Sequence, residues 1–192
     1  GSLLRSAGHD VRLYDRTADF LAAGVPDVAS CLVLDIRLSG ENGLDFLENL
    51  VAQGIALPVI LITGHGDIPM TVRAMRAGAI DFLPKPFDDD QFLSTIDTAI
   101  AADRRRRAAV AEQAAVHRGF ASLTPREREV MALVVTGLMN KQVAARLGLS
   151  EITVKIHRGN VMRKMGAPSL ADLVRMAEQL GVRDDSIHRY HT

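Results

Sequence analysis

Four short apolar runs, at residues 11–14, 31–34, 59–62 and 80–83, are separated by stretches with helical spacing such as 43–51 and 70–77. Strand-length runs alternating with helices describe a βα repeat, which folds into a parallel sheet covered by helices. In open sheets of this kind ligands are met beyond the carboxyl ends of the strands, so the polar residues that close the runs matter most. They are Asp35, Thr63 and Lys85.

A carboxylate, a hydroxyl and an ammonium at one sheet edge suit a site that takes a phosphoryl group: the aspartate attacks, and the other two hold phosphoryl oxygens. Gly64 after the threonine leaves access open, and a cis Lys85-Pro86 bond would aim the lysine inward. Taken singly, a strand-end Asp caps a turn, and a strand-end Thr or a Lys between prolines simply faces water. The ordered set carries the reading.

The runs Leu32-Val33-Leu34-Asp35-Ile36-Arg37-Leu38-Ser39-Gly40, Ile62-Thr63-Gly64-His65-Gly66-Asp67 and Asp81-Phe82-Leu83-Pro84-Lys85-Pro86-Phe87 resemble the three signatures of response-regulator receiver domains. The resemblance implies a flavodoxin-like α/β fold with Asp35 as phosphoacceptor, Thr63 as switch hydroxyl, Lys85 as phosphate-binding lysine and Phe82 as switch aromatic. Phe82 as plain core stays open. It also implies that Asp35 and the Arg37 carbonyl ligate Mg²⁺, and that the Arg37 and His65 side chains flank the site; His65 as a simple loop residue is equally open.

Receiver domains begin with a strand ending in an acidic pair that binds this Mg²⁺. Here residues 1–10 resemble the end of the first receiver helix entering the second strand, and Asp10 and Asp15 do not replace the pair. The receiver therefore reads as N-terminally incomplete. A shortened chain opening on a cloning remnant, upstream residues outside this sequence, and a remodelled receiver all remain open, with the first two favoured. Mg²⁺ is expected only where the acidic pair is present in the full-length protein.

Formal charge sums to zero, yet residues 1–102 hold 7 Lys/Arg against 14 Asp/Glu and residues 103–192 hold 16 against 9. An acidic half joined to a basic one suggests that the second meets a polyanion. From about Gln91 a helical pattern runs through Arg104-Arg105-Arg106-Arg107 to Val116, giving a receiver over 1–102, a helical linker over 103–120 and a second domain over 121–192. The four arginines read as a solvated linker face, with contact to DNA phosphates as the other possibility.

Thr124-Pro125-Arg126-Glu127 combines a capping hydroxyl, proline at the first helical position and a glutamate three after the cap, which starts a helix. Val130, Met131, Leu133 and Val134 face inward, and the helix stops near Gly137. A shorter helix follows Asn140 with Val143, Ala144 and Leu147 inward. Gly148-Leu149 turns the chain, Ser150 caps a third helix from Glu151, and Ala144 and Ala145 allow close crossing. Helix, glycine turn, helix is a DNA-binding geometry. On the third helix Ile152, Val154 and Val161 can face inward, while Thr153, Lys155, His157, Arg158, Arg163 and Lys164 offer donors. A generic three-helix unit with a basic face fits this spacing as well. Ser169 caps a fourth helix with an apolar stripe, Leu170, Leu173, Val174, Ala177 and Leu180. Residues 183–192 show no pattern, and His188 and His191 read as a frayed end.

Residues 123–130, 137–141 and 153–158 resemble the LuxR-type DNA-binding domain, an all-α four-helix fold, and the match covers nearly all of 121–181. It implies Lys155, Ile156 and Gly159 at base-facing positions and Thr153, His157, Arg158, Asn140 and Lys141 near phosphates. Gly159 departs from a polar side chain, so readout leans on Lys155 and backbone fit. Receiver and LuxR-type domain together resemble response regulators of the FixJ/NarL kind. That implies a non-enzymatic transcription regulator with promoter DNA, a sensor histidine kinase and RNA polymerase as partners, and a homodimer when activated.

A DNA-binding regulator independent of phosphorylation is the rival that the missing acidic pair sustains. An aspartyl-phosphate phosphatase lacks its D-x-D-x-T, since Arg37 stands two after Asp35, and a flavin carrier would lack stacking aromatics with no Trp and 2 Tyr. No apolar run approaches the roughly 18 residues of a membrane span, residues 1–8 do not read as a signal peptide, and a cytoplasmic location is expected. Cys31 reads as a small buried hydrophobe.

Overall fold

The structure, a computed structural model, describes residues 1–38, 40–64 and 68–182. The chain divides into two compact units, Gly1–Ala109 and Val110–Thr192.

In the first unit, β1 (Leu32–Asp35), β2 (Val59–Thr63) and β3 (Asp81–Pro84) form a parallel sheet in the order β1-β2-β3. Because side chains alternate across a strand, a run buried on both faces is apolar throughout. Leu34, Val59 and Leu61 pack on one face with Leu44, Leu47 and Leu50 of α3 (Gly43–Ala52) and Ala74 of α4 (Ile68–Arg76). Ile60 and Leu83 pack on the other with Phe92, Ile96 and Ala99 of α5 (Asp89–Ala121), joined by Leu3 and Leu4 of α1 (Ser2–Ser6). Leu47 and Leu50 are fully buried, and truncating either to alanine costs about 2–5 kcal/mol.

The run at 11–14 is not a strand. An apolar run becomes a strand only with a ladder partner; the sheet pairs β1 with β2 alone, and residues 11–14 lead without regular structure to α2 (Thr17–Ala23). Leu13 is 68% exposed, while Tyr14 meets Phe20 edge-on. Cys31 is half-buried rather than buried, and burial followed by the nearby Asp103 charge pushes its thiol up to about 11, which removes it as a nucleophile.

Helix α5 continues without a break across residues 103–120. Two of its four arginines, Arg106 and Arg107, are half-buried and paired rather than fully solvated. Asp103, fully buried, accepts hydrogen bonds from Arg106 at 2.7 and 2.9 Å, from Arg107 at 2.8 Å and from the Ser30 N–H at 3.0 Å. Arg107 also donates to the Pro26 carbonyl at 2.6 Å, so the segment before β1 is tied to α5.

The second unit packs α6 (Pro125–Val134), α7 (Asn140–Leu147), α8 (Glu151–Met165) and α9 (Leu170–Gln179) with the end of α5 around Val130, Met131, Val143, Val154, Val161 and Leu173. Thr124 and Glu127 form the reciprocal cap that starts α6, Ser150 and Ser169 cap α8 and α9, and Gly148 ends α7 in a left-handed conformation. Gly119 is required by a close approach, since a Cβ there would lie 2.9 Å from the Lys164 carbonyl oxygen. Ala144 is buried at the crossing, but Ala145 is exposed. Ile152 also faces out, 73% exposed, because Val154, Val161 and Met165 already define the buried side of α8. No helix among the described residues is long and apolar enough to cross a membrane.

Candidate functional site

The sheet brings Asp35, Thr63 and Lys85 to one edge. Register sets Asp35 beside Ile62 and Thr63 beside Pro84, so all three lie at or just beyond the carboxyl ends of neighbouring strands. The Lys85 N–H donates to the Thr63 carbonyl at 2.7 Å, extending the ladder one step past β3. The Lys85–Pro86 peptide is cis. Lys85 Nζ donates to Asp35 Oδ2 at 2.7 Å, and the Arg37 N–H donates to Asp35 Oδ1 at 2.9 Å. Partial burial pushes the Asp35 carboxyl up, but the Lys85 hydrogen bond, the Arg37 N–H and the positive charges of both residues outweigh it and hold the carboxyl below its ordinary value. Asp35 is thus held as an ionised carboxylate beside the Lys85 cation.

The β1–α3 connection that carries Asp35 is tight. Gly43 N–H donates to the Ile36 carbonyl at 2.9 Å, and a Cβ on Gly43 would stand 2.2 Å from the Asp35 carbonyl oxygen. Asn42 caps α3 by accepting from the Leu44 N–H at 2.9 Å. Thr63 is buried, while among the described residues the space where a Cβ of Gly64 would sit is open. Phe82 lies beside Leu61 in the register and is half-buried against the core under α3 and α4. His65 falls outside the described residues, as do Ser39, His188 and His191.

Mg²⁺ takes near-octahedral oxygen coordination. Asp35 and the Arg37 carbonyl offer two ligands, and among the described residues no group of three or more His, Cys, Asp or Glu is gathered for a metal. The residues present do not by themselves fit the ion.

In the second unit Lys155, Ile156 and Gly159 are all exposed on α8, and Lys141 is exposed at the start of α7. Arg158 donates to Asn140 Oδ1 at 3.2 Å, which ties α8 to the N-terminus of α7. Thr153 serves the helix cap, its N–H donating to Ser150 Oγ at 3.1 Å. His157 is half-buried, and its Nδ1 is buried without a hydrogen-bond partner among the described residues. Lys164 does not belong to this surface: its Nζ lies 2.6 Å from Glu127 Oε2 and 3.2 Å from the Ser122 carbonyl, so it is spent inside the domain. Sequence spacing carries no sign of that pairing across 37 residues.

Comparison with known proteins agrees with both halves. The response regulator receiver domain matches residues 1–97, and the model described as bacterial regulatory proteins, luxR family, matches residues 121–177. Nodulation protein W of Bradyrhizobium diazoefficiens is 56% identical over 181 residues, spanning 94% of this chain and 80% of that protein. The transcriptional regulatory protein FixJ of the same organism is 43% identical over 186 residues, 95% of this chain and 89% of that one. The structure of the response regulator StyR aligns with TM-score 0.82 and 47% identity, over 93% of this chain and 90% of that one. The chain belongs to the response-regulator family, as a receiver domain followed by a LuxR-type DNA-binding domain. It is a DNA-binding transcriptional regulator of a two-component system.

Proposed function

We propose that Asp35 is the residue at which a sensor histidine kinase switches this regulator. The observation that carries this is the 2.7 Å contact of Lys85 Nζ with Asp35 Oδ2 at the sheet edge shared with Thr63. An Asp35 carboxylate oxygen attacks phosphorus on the kinase's phosphohistidine; the P–N bond breaks, its electron pair returns to the imidazole, and an acyl phosphate forms on Asp35. Lys85 exchanges its contact with Asp35 for one with a phosphoryl oxygen, Thr63 turns its hydroxyl toward the group, and Phe82 follows inward, changing the surface around residues 85–92. Arg37 flanks the site. Mg²⁺ belongs to this chemistry in receiver domains, and a complete shell needs carboxylates beyond Asp35 and the Arg37 carbonyl.

Residues 1–102 serve as receiver, 103–120 as linker and 121–192 as DNA-binding domain. Lys155, Ile156 and Gly159 face bases, and Lys141, Asn140, Thr153, His157 and Arg158 lie along phosphates. Phosphorylation promotes a homodimer that holds two half-sites together, raising affinity through effective concentration, and the bound dimer recruits RNA polymerase in the cytoplasm. The protein turns over no substrate of its own. The test is a gel-shift series on the full-length protein: a phosphodonor tightens DNA binding by the parent and leaves Asp35→Asn unchanged. Equal responses in parent and variant contradict the assignment.

A further inference from the structure

The outer face of α8 carries an apolar pair that core packing does not explain. Ile152 is 73% exposed and Ile156 is 59% exposed. They stand four residues apart, one turn of helix, and share their face with Lys155, Gly159 and Arg163, all exposed at helical spacing. The opposite side of the helix, Val154, Val161 and Met165, is buried. Two branched hydrocarbon side chains therefore stand one above the other beside Lys155 over the first two turns, and among the described residues the place of a Gly159 Cβ on the next turn is open space.

A helix-turn-helix enters the major groove with the first turns of its second helix against base edges. The groove offers one distinctive apolar group, the C5 methyl of thymine, which hydrocarbon side chains contact. The positive charge needed for a polyanion is on the same face, in Lys155 and Arg163, and residues 103–192 hold 16 Lys/Arg against 9 Asp/Glu. We infer that Ile152 is a specificity-determining residue that packs on a thymine methyl in the major groove, in series with Ile156. The binding site then carries thymine where these two side chains meet the bases. The inference rests on α8 being the DNA-recognition helix.

Removing only the methyl tests it. Binding sites for the phosphodonor-treated full-length protein are selected from a random-sequence duplex pool, and the best duplex is remade with each thymine singly replaced by uracil. The parent is expected to lose affinity about fourfold, the worth of one buried methyl group, at two or more thymines of a half-site. Ile152→Ala binds the thymine and uracil duplexes equally at one of these positions, and Ile156→Ala does so at another. Because Ile152 is exposed, its variant keeps the helical circular-dichroism signal and melting temperature of the parent. A parent indifferent to every uracil, or an Ile152→Ala protein that keeps the full set of penalties, overturns the inference while leaving DNA recognition by α8 intact. Failure of the pool to yield any preferred sequence overturns both, and would make the apolar pair a protein-contact surface.

Discussion

Lys85 Nζ and Asp35 Oδ2, fifty residues apart in sequence, lie 2.7 Å from one another across the carboxyl end of β2, which separates β1 from β3 in the sheet. The contact is partly exposed on both sides, so its value is chemical rather than a matter of stability. It keeps the Asp35 carboxylate ionised and holds a cation against it, as the proposed phosphoryl transfer to Asp35 requires.

Lys85→Ala removes that hydrogen bond and charge, so the Asp35 carboxyl rises back toward its ordinary value. Phosphorylation by a small phosphodonor should slow by about a hundredfold, as when one charge-stabilising donor is lost. Only the carboxylate attacks, so the variant's rate should begin to fall at a higher pH than the parent's as the medium is acidified. Rate profiles of the two proteins against pH check this; superimposable profiles contradict it.

Gly43→Ala places a Cβ 2.2 Å from the Asp35 carbonyl oxygen and 3.1 Å from the Ile36 Cα. Both are backbone atoms, so neither can swing aside. Overpacking of this kind costs about 1–3 kcal/mol. Thermal denaturation should show the first unit melting earlier, and phosphodonor labelling should fall with it. An unchanged melting curve would remove the claim that this glycine shapes the acceptor loop.

Glu127, only 4% exposed, accepts from Lys164 and from the Thr124 N–H. Lys164 first, then Thr124, hold its carboxyl below the ordinary glutamate value against the opposing effect of burial. A depressed folded value means that the stabilisation is fully present above the ordinary glutamate value and is lost as pH falls through the folded one. Denaturant titrations of the second unit's unfolding should lose stability over that acid range in the parent and lose less in Glu127→Gln. Lys164→Met, which strands a buried carboxylate, should cost about 3 kcal/mol at neutral pH. Parallel pH curves for parent and Glu127→Gln would contradict the account.

The elements were largely legible because their signals are local. The strand runs closing on Asp35, Thr63 and Lys85, the Thr124-Glu127 cap, the Ser150 and Ser169 caps and the Gly148 turn each need only a few neighbouring residues, and all of these elements are present. What was not legible depends on partners distant in sequence. Residues 11–14 have the composition of a strand, but pairing decides strands. Ile152 has the side chain of a core residue, yet on α8 it sits on the far side from Val154 and Val161. Lys164 looks like a free cation until Glu127 is brought to it by the fold, and Arg107 is likewise joined by Asp27 and the Pro26 carbonyl, about eighty residues away. At the acceptor site the residue types and their order were readable, whereas the bond lengths and the close approach of Gly43 follow only from the packed β1–α3 turn.

On the proposed function one carboxylate, Asp35, receives the phosphoryl group. The full-length protein, treated with a phosphodonor and Mg²⁺ and then trapped with borohydride, should carry a reduced side chain at residue 35 by peptide mass spectrometry, and Asp35→Asn should carry none. A trapped acyl phosphate at another aspartate, or an unmodified Asp35 in a protein whose DNA binding still responds to the phosphodonor, contradicts it.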